Sequence, residues 1–313
     1  MKYLIKKIFM LCITLVLVSV ITFGIFQILP GDPIRAMLGI TASPEQVEMV
    51  RHEMGYDKPS AARYIDWAAG LFKGDLGTSL KYQKPVSEIL KARIQPTMCL
   101  GIGSLLLTLI LGIPIGVTLA LYHKKGWSTV CTIICQIGTS IPCFWLGMML
   151  IFILSVKMGL LPAGGYTFAE DDIKGWLIHL ILPCISLAIG DIAVVVRYLK
   201  NGMLDQMKMD FVRTAYSKGL SDSRVVYVHV LRNAMIPVIT IIGMLVAEIL
   251  AGSIVVETVF QIPGLGALML TSITSRDFIL LQSLTMYIAI IVVVINTLVD
   301  VLYAVIDPRI RIK

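Results

Sequence analysis

The sequence predicts an all-α polytopic membrane protein with six transmembrane helices, and three observations carry that prediction. Of 313 residues, 57% are hydrophobic and 15% charged, whereas soluble globular chains average about 45–50% apolar and about 25% charged. Mean hydropathy is +0.85. The apolar residues are gathered into six runs, near 9–29, 98–122, 129–156, 177–199, 236–260 and 280–306, each meeting the roughly 20 residues a helix needs to cross a bilayer. Length alone would allow two soluble domains of about 150 residues; the grouping of apolar residues argues for one helical bundle instead.

Taken in order, the first run follows Lys2, Lys6 and Lys7 and ends in Leu29-Pro30-Gly31-Asp32-Pro33. It is too long for the apolar region of a secretory signal and lacks a small-x-small cleavage site, so a retained first helix is expected. Between the first two runs, Ser43 and Gln46 form a capping-box pattern around Pro44, with Val47, Val50 and Met54 at helical spacing. A second short helix is expected after Pro59, with Tyr64, Trp67, Ala68 and Leu71 on one side and Gly74 beyond its end. The expected organisation is therefore residues 1–97, a first transmembrane helix plus a helical cap, and residues 98–313, a five-helix core. Within the spans, Gly112-x-Pro114-x-Gly116, Pro142, Pro183 and Pro237 are helix breakers, and Gly112 with Gly116 is a small-xxx-small pair that lets two helices approach closely. Several such breaks favour a bundle that rocks around a pathway over ordinary kinks.

Orientation follows from Lys and Arg, which are enriched on cytoplasmic flanks. With the N-terminus inside, the inner stretches 1–8, 123–128, 197–235 and 307–313 hold 15 basic residues in 60 positions, against 12 in the 107 positions of the outer stretches. Both termini are expected in the cytoplasm, and the cap outside. The net charge of +7 is dispersed along the chain and aromatics are 8%, which argues against nucleic acid and leaves lipid as the bulk contact. The six cysteines fall within or at the ends of apolar runs, without disulfide or zinc spacing, and read as small buried hydrophobes.

Acidic groups at membrane depth are costly and usually face a water-filled pathway or a structural partner. Asp191 and Glu248 lie near the middles of the fourth and fifth runs, and either role suits them; a pathway carrying their charge would suit a cationic centre. Glu257 and Asp300 lie nearer span ends and are expected to reach the interface. No nucleophile elbow, zinc-protease motif or clustered histidine occurs, so no catalytic residue, metal ligand or cofactor site is nominated. Nor does a phosphate-binding G-x-x-x-x-G-K-[ST] loop occur, so any ATPase driving transport must be another polypeptide.

The inner segment 200–235 is the most informative. Asp210-Phe211-Val212-Arg213-Thr214-Ala215-Tyr216-Ser217-Lys218-Gly219-Leu220-Ser221 reads as a short amphipathic helix stopped by Gly219, with Ser221 capping a second short helix rich in valine. Such helices either lie on anionic lipid or fit a groove on a cytosolic partner.

This stretch resembles the "EAA" loop, E-A-A-x-x-x-G, of the permease subunits of ABC importers, specifically the dipeptide, oligopeptide, glutathione and nickel family. Arg213-Thr214-Ala215-Tyr216-Ser217-Lys218-Gly219 keeps the second Ala and the Gly of that pattern and departs from it at Arg213 and Thr214. His229-Val230-Leu231-Arg232-Asn233-Ala234 and Ile236-Pro237 resemble the peptide and nickel branch. Further hallmarks occur in family order: Leu29 to Pro33, Gly74-Asp75-Leu76-Gly77-Thr78-Ser79, Leu161-Pro162-x-Gly164-Gly165-Tyr166, Gly252 to Glu257, Pro263-Gly264-Leu265-Gly266 and Asp307-Pro308-Arg309. The resemblance covers essentially the whole chain and implies a type I importer transmembrane domain in a bacterial inner membrane. It further implies a second homologous permease subunit, two ABC ATPases carrying ATP and Mg, and an extracytoplasmic solute-binding protein. Arg213, Thr214, Ala215, Lys218, Gly219, Leu220 and Ser221 would couple to the ATPases. Peptide import is the expected function; import of nickel or a chelated metal within the same family, and ion-gradient-driven secondary transport, are the alternatives.

Overall fold

The computed structural model describes residues 2–28, 34, 43–53 and 55–306. The motifs expected at 29–33 and 307–309, together with Met54 and the side chain of Asp300, lie outside the described residues. Eleven helices are described: α1 (Lys2–Ile28), α2 (Pro44–Glu53), α3 (Ser60–Phe72), α4 (Val86–Leu121), α5 (Gly126–Gly138), α6 (Cys143–Lys157), α7 (Ile173–Gln206), α8 (Asp210–Ser217), α9 (Asp222–Val259), α10 (Leu265–Thr274) and α11 (Phe278–Ile306). Five of them are long and apolar enough to cross a membrane, and α5 with α6 makes a sixth, broken span.

The run 129–156, expected to be one helix, is bent by 103° between α5 and α6. Proline has no N–H to donate and pushes the residue before it out of helical geometry, so the helix stops ahead of Pro142. The freed groups are re-paired locally: the N–H of Thr139 donates to the Cys135 carbonyl at 3.3 Å and that of Ser140 to Ile137 at 2.9 Å. Pro114, Pro183 and Pro237, by contrast, sit inside continuous helices.

Contacts group the chain into two compact units. The first comprises residues 1–95 and 263–294. Its cap begins with the full capping box: the Gln46 N–H donates to Ser43 Oγ at 3.2 Å, and the Ser43 N–H donates to Gln46 Oε1 at 3.1 Å. The aromatic side of α3 seats on α1, where Tyr64 and Trp67 pack on Phe23 and the Tyr64 hydroxyl hydrogen-bonds Ser19 Oγ at 2.8 Å. The chain leaves α3 through Gly74 at φ +78, a left-handed geometry that favours glycine. The stretch between α3 and α4 is pinned by buried Asp277, which caps α11 by accepting from the Leu280 N–H at 3.1 Å. Asp277 also accepts from Ser79 Oγ at 2.5 Å and the Lys81 N–H at 3.1 Å. Ser283 Oγ donates to the Leu76 carbonyl at 2.7 Å, so the Gly74–Ser79 motif is tied down at two points over a core of Val86, Leu90, Leu265, Leu268, Leu280 and Leu284.

The second unit comprises residues 96–262 and 295–313. Helix α7 contributes to both of its apolar cores, Leu182 and Leu187 to one and Val195, Leu199 and Met203 to the other. Gly112 and Gly116 give α4 its close approach to α7: a Cβ there would meet Val195 at 3.0 Å and Leu199 at 3.1 Å. Glu257, expected to reach the interface, is instead fully buried and accepts from Thr97 Oγ1 at 2.6 Å. Proximity to a span end did not decide its direction; the hydroxyl on α4 offered a better partner than headgroup water.

Candidate functional site

Two features of the second unit share the same helices. The first is the segment 210–221. Asp210 sits in the first turn of α8, where a negative charge favours the helix dipole. Val212 and Ala215, three apart, turn inward, while Arg213, Thr214, Tyr216, Ser217 and Lys218 are exposed. The helix ends in a Schellman arrangement: the Gly219 N–H donates to the Tyr216 carbonyl at 2.9 Å and the Leu220 N–H to Ala215 at 3.3 Å, with Gly219 at φ +79. Leu220 then folds back onto the apolar core that holds Val212 and Ala215.

Of the seven residues expected to face an ATPase, Arg213, Thr214, Lys218, Gly219 and Ser221 are exposed, Leu220 is half-buried and Ala215 is buried. The second short helix does not stand alone. From Asp222 the chain runs unbroken as α9, through a π-helical stretch at Val225–Val230, into the fifth span. The Ser221 side chain makes no capping hydrogen bond; its carbonyl accepts from the Val225 N–H at 3.0 Å. Apolar Val225, Val226 and Val230 have the α7–α8 core to bury against, so the helix continues rather than turning. Tyr216, which the sequence pattern does not single out, has its phenol held above the ordinary pKa by desolvation first and the neighbouring Asp222 carboxylate second.

That core is the mechanical fact of the site. Val212, Ala215, Val225, Val226 and Val230 interlock with Leu199 and Met203 of α7 and with Ala234 and Val238 of α9. Val212 was not singled out by sequence, although its spacing from Ala215 on a strongly amphipathic helix carries the signal.

The second feature is a cavity of about 390 Å³ higher on α7 and α9. It is lined by Ser140 and Pro142 of the broken span, by Gly190 and Asp191 of α7, and by Glu248 and Gly252 of α9. Asp191 and Glu248, nominated separately from sequence, therefore face one space. Asp191 is buried and Glu248 exposed, and among the described residues neither carboxylate accepts a hydrogen bond or meets a cation. Glu248 lies on an exposed stripe at helical spacing along α9 that includes Pro237, Thr240, Met244, Ala251, Val255 and Thr258. A helix of membrane length exposing a carboxylate and two threonines on one side does not present that side to hydrocarbon.

Comparison with known proteins bears on both features. The family described as "Binding-protein-dependent transport system inner membrane component" matches residues 112–312, and the family of its N-terminal segment matches residues 1–101. The chain belongs to this family. It is 38% identical to the oligopeptide transport system permease protein AppB of Bacillus subtilis, over 99% of both chains. It is 35% identical to the dipeptide transport system permease protein DppB of Escherichia coli, over 100% of this chain and 99% of that one. Among solved structures, an inward-facing form of the MetNI methionine ABC transporter superposes with a TM-score of 0.56 at 17% identity, covering 70% of this chain and 96% of that one; at such identity the likeness is one of fold. The chain is thus a multi-pass inner-membrane transport component with a type I importer fold.

Proposed function

We propose that this chain is the permease subunit forming half of the translocation pathway of an ATP-driven importer of di- or oligopeptides, and that residues 210–221 couple it to cytosolic ATPases. The observation that carries the reading is that the two helices gripping α8 at one end are the two that line the cavity at mid-length. Asp191 lies 8–12 residues from Leu199 and Met203, and Glu248 lies 10–14 residues from Ala234 and Val238, or about 12–18 Å along α7 and about 15–21 Å along α9. An ATPase moving α8 would therefore move both walls of the cavity through packed side chains, which transmit displacement because interiors are close-packed.

On this reading both termini are cytoplasmic, and Arg213, Thr214, Lys218, Gly219 and Ser221 present the coupling surface, with Ala215 and Leu220 anchoring it. Residues 1–97 act as an accessory helix and extracytoplasmic cap, and residues 98–313 act as the core. The partners are a second homologous permease against the exposed α9 stripe, two ATPases carrying ATP and Mg, and an extracytoplasmic solute-binding protein. Catalysis resides in the partners. Peptide is favoured over nickel or chelated metal because the relatives are named for peptides. No group of three metal-ligating side chains occurs among the described residues.

The test is uptake by the complete importer in proteoliposomes. ATP-dependent accumulation of a dipeptide that stops when the ATPases are omitted supports the reading. Accumulation that persists without ATP but collapses with an ionophore supports ion-gradient transport instead.

A further inference from the structure

Resting on the pathway reading above, we infer that Asp191 and Glu248 form a recognition station for the solute's free ammonium group, so that this permease itself discriminates in favour of peptides with an unblocked N-terminus. The side chain of Asp191 is 6% exposed, lines the cavity, and has no donor or cation among the described residues. A buried carboxylate at membrane depth is ordinarily hydrogen-bonded or ion-paired, since removing it from water unpaired is costly. Glu248 on the facing helix doubles the negative charge instead of neutralising it, and the two are close enough for one charge to act on the other.

The surroundings fit an organic cation passing through. The wall opposite is the break between α5 and α6, where Ser140 adds a hydroxyl and the helix backbone is interrupted. Broken spans beside a pathway are where transporters place their ion and solute contacts. The remaining lining mixes apolar residues, including Pro142, Leu187 and Ile249, with the hydroxyl residues Thr139 and Ser186, so the carboxylates are the charged groups of the wall and a primary ammonium is the solute group they draw in. Such binding must stay modest for the solute to leave, and two monodentate contacts without a closed coordination shell meet that condition.

The native Cys143 provides a probe, because its thiol lines the same cavity within electrostatic reach of both carboxylates. In the complete importer, with the other five cysteines replaced by alanine, Cys143 is alkylated with a cationic and an anionic methanethiosulfonate reagent in turn. We expect Asp191→Asn with Glu248→Gln to lower the cation-to-anion rate ratio by about tenfold, the scale of removing two nearby unit charges at an effective dielectric near 20 with ionic screening. Added dipeptide should slow alkylation in the parent protein but not in that double variant, and its N-acetylated form should slow neither. An unchanged rate ratio, equal protection by both peptides, or no protection by either overturns the inference. A separate variant, Gly190→Phe, projects into the cavity from α7, where a Cβ meets nothing within 4 Å: if it abolishes dipeptide uptake while the thiol results fail, the pathway reading stands and the ammonium station falls. Uptake unaffected by Gly190→Phe removes both.

Discussion

Replacing Gly219 isolates the coupling turn from everything around it. Its backbone sits at φ +79, and a Cβ added there meets nothing within 4 Å. Substitution therefore acts through backbone strain and not through a clash within the chain. For an L-residue the left-handed conformation costs about 1–2 kcal/mol, more when the side chain is β-branched. That cost opposes the two bonds that close α8, from Gly219 to Tyr216 and from Leu220 to Ala215, and it lowers the population of the closed turn by a factor of about 5–30. The expected series is graded. Gly219→Asn, which tolerates this conformation, stays near the parent; Gly219→Ala is intermediate; Gly219→Val loses most coupling. The assay is solute accumulated per ATP hydrolysed by the complete importer, with expression and assembly checked by co-purification of the ATPases. Hydrolysis should persist while accumulation falls in that order. A Gly219→Val importer with the parent's stoichiometry would show that the closed turn is not what transmits the motion.

Other outcomes rest on the same geometry. Ala215→Leu should overpack the core joining α8 to α7 and α9, costing about 1–3 kcal/mol, and should reduce uptake more than ATPase co-purification. Asp277→Ala leaves the Ser79 hydroxyl and the N–H groups of Lys81 and Leu280 without their acceptor. It should destabilise the protein by about 1–3 kcal/mol in thermal unfolding, with Asp277→Asn recovering part of the loss. Gly116→Val should cost about 1–3 kcal/mol through collision with Leu199 and lower the melting temperature, while Gly126→Val, where nothing lies within 4 Å, should not collide.

The membrane class and most helices were legible because they rest on strong, local signals: run length, the Ser43–Gln46 capping box, and Gly74 and Gly219 as stops. The broken third span was half legible. Pro142 marked the place, but a continuous apolar run gives no measure of a bend. Glu257 was misread because burial depends on a partner, Thr97, 160 residues away, which position along a span cannot reveal. The extension of the second coupling helix into α9 was missed for a related reason: Gly219 and Ser221 state where one helix stops, whereas the valines after Asp222 continue because of a core assembled from four helices. Asp277 carried a usable signal, an aspartate ahead of an apolar run, though its bonds to Ser79 and Lys81 are invisible in sequence. Asp191 and Glu248 could be nominated singly by the cost of charge in a bilayer; that they share a cavity is a product of how α7 and α9 pack.

If an engine outside this chain grips residues 210–221 and drives the cavity through α7 and α9, a tether at the grip must stop transport. The most direct measurement places Lys218→Cys in a cysteine-free chain and joins it to the ATPases of the complete importer with a short, reducible crosslinker. The account predicts a crosslink from Lys218→Cys, arrested uptake while it holds, and recovery on reduction. Absence of the crosslink, or uptake continuing through it unchanged, would contradict the account.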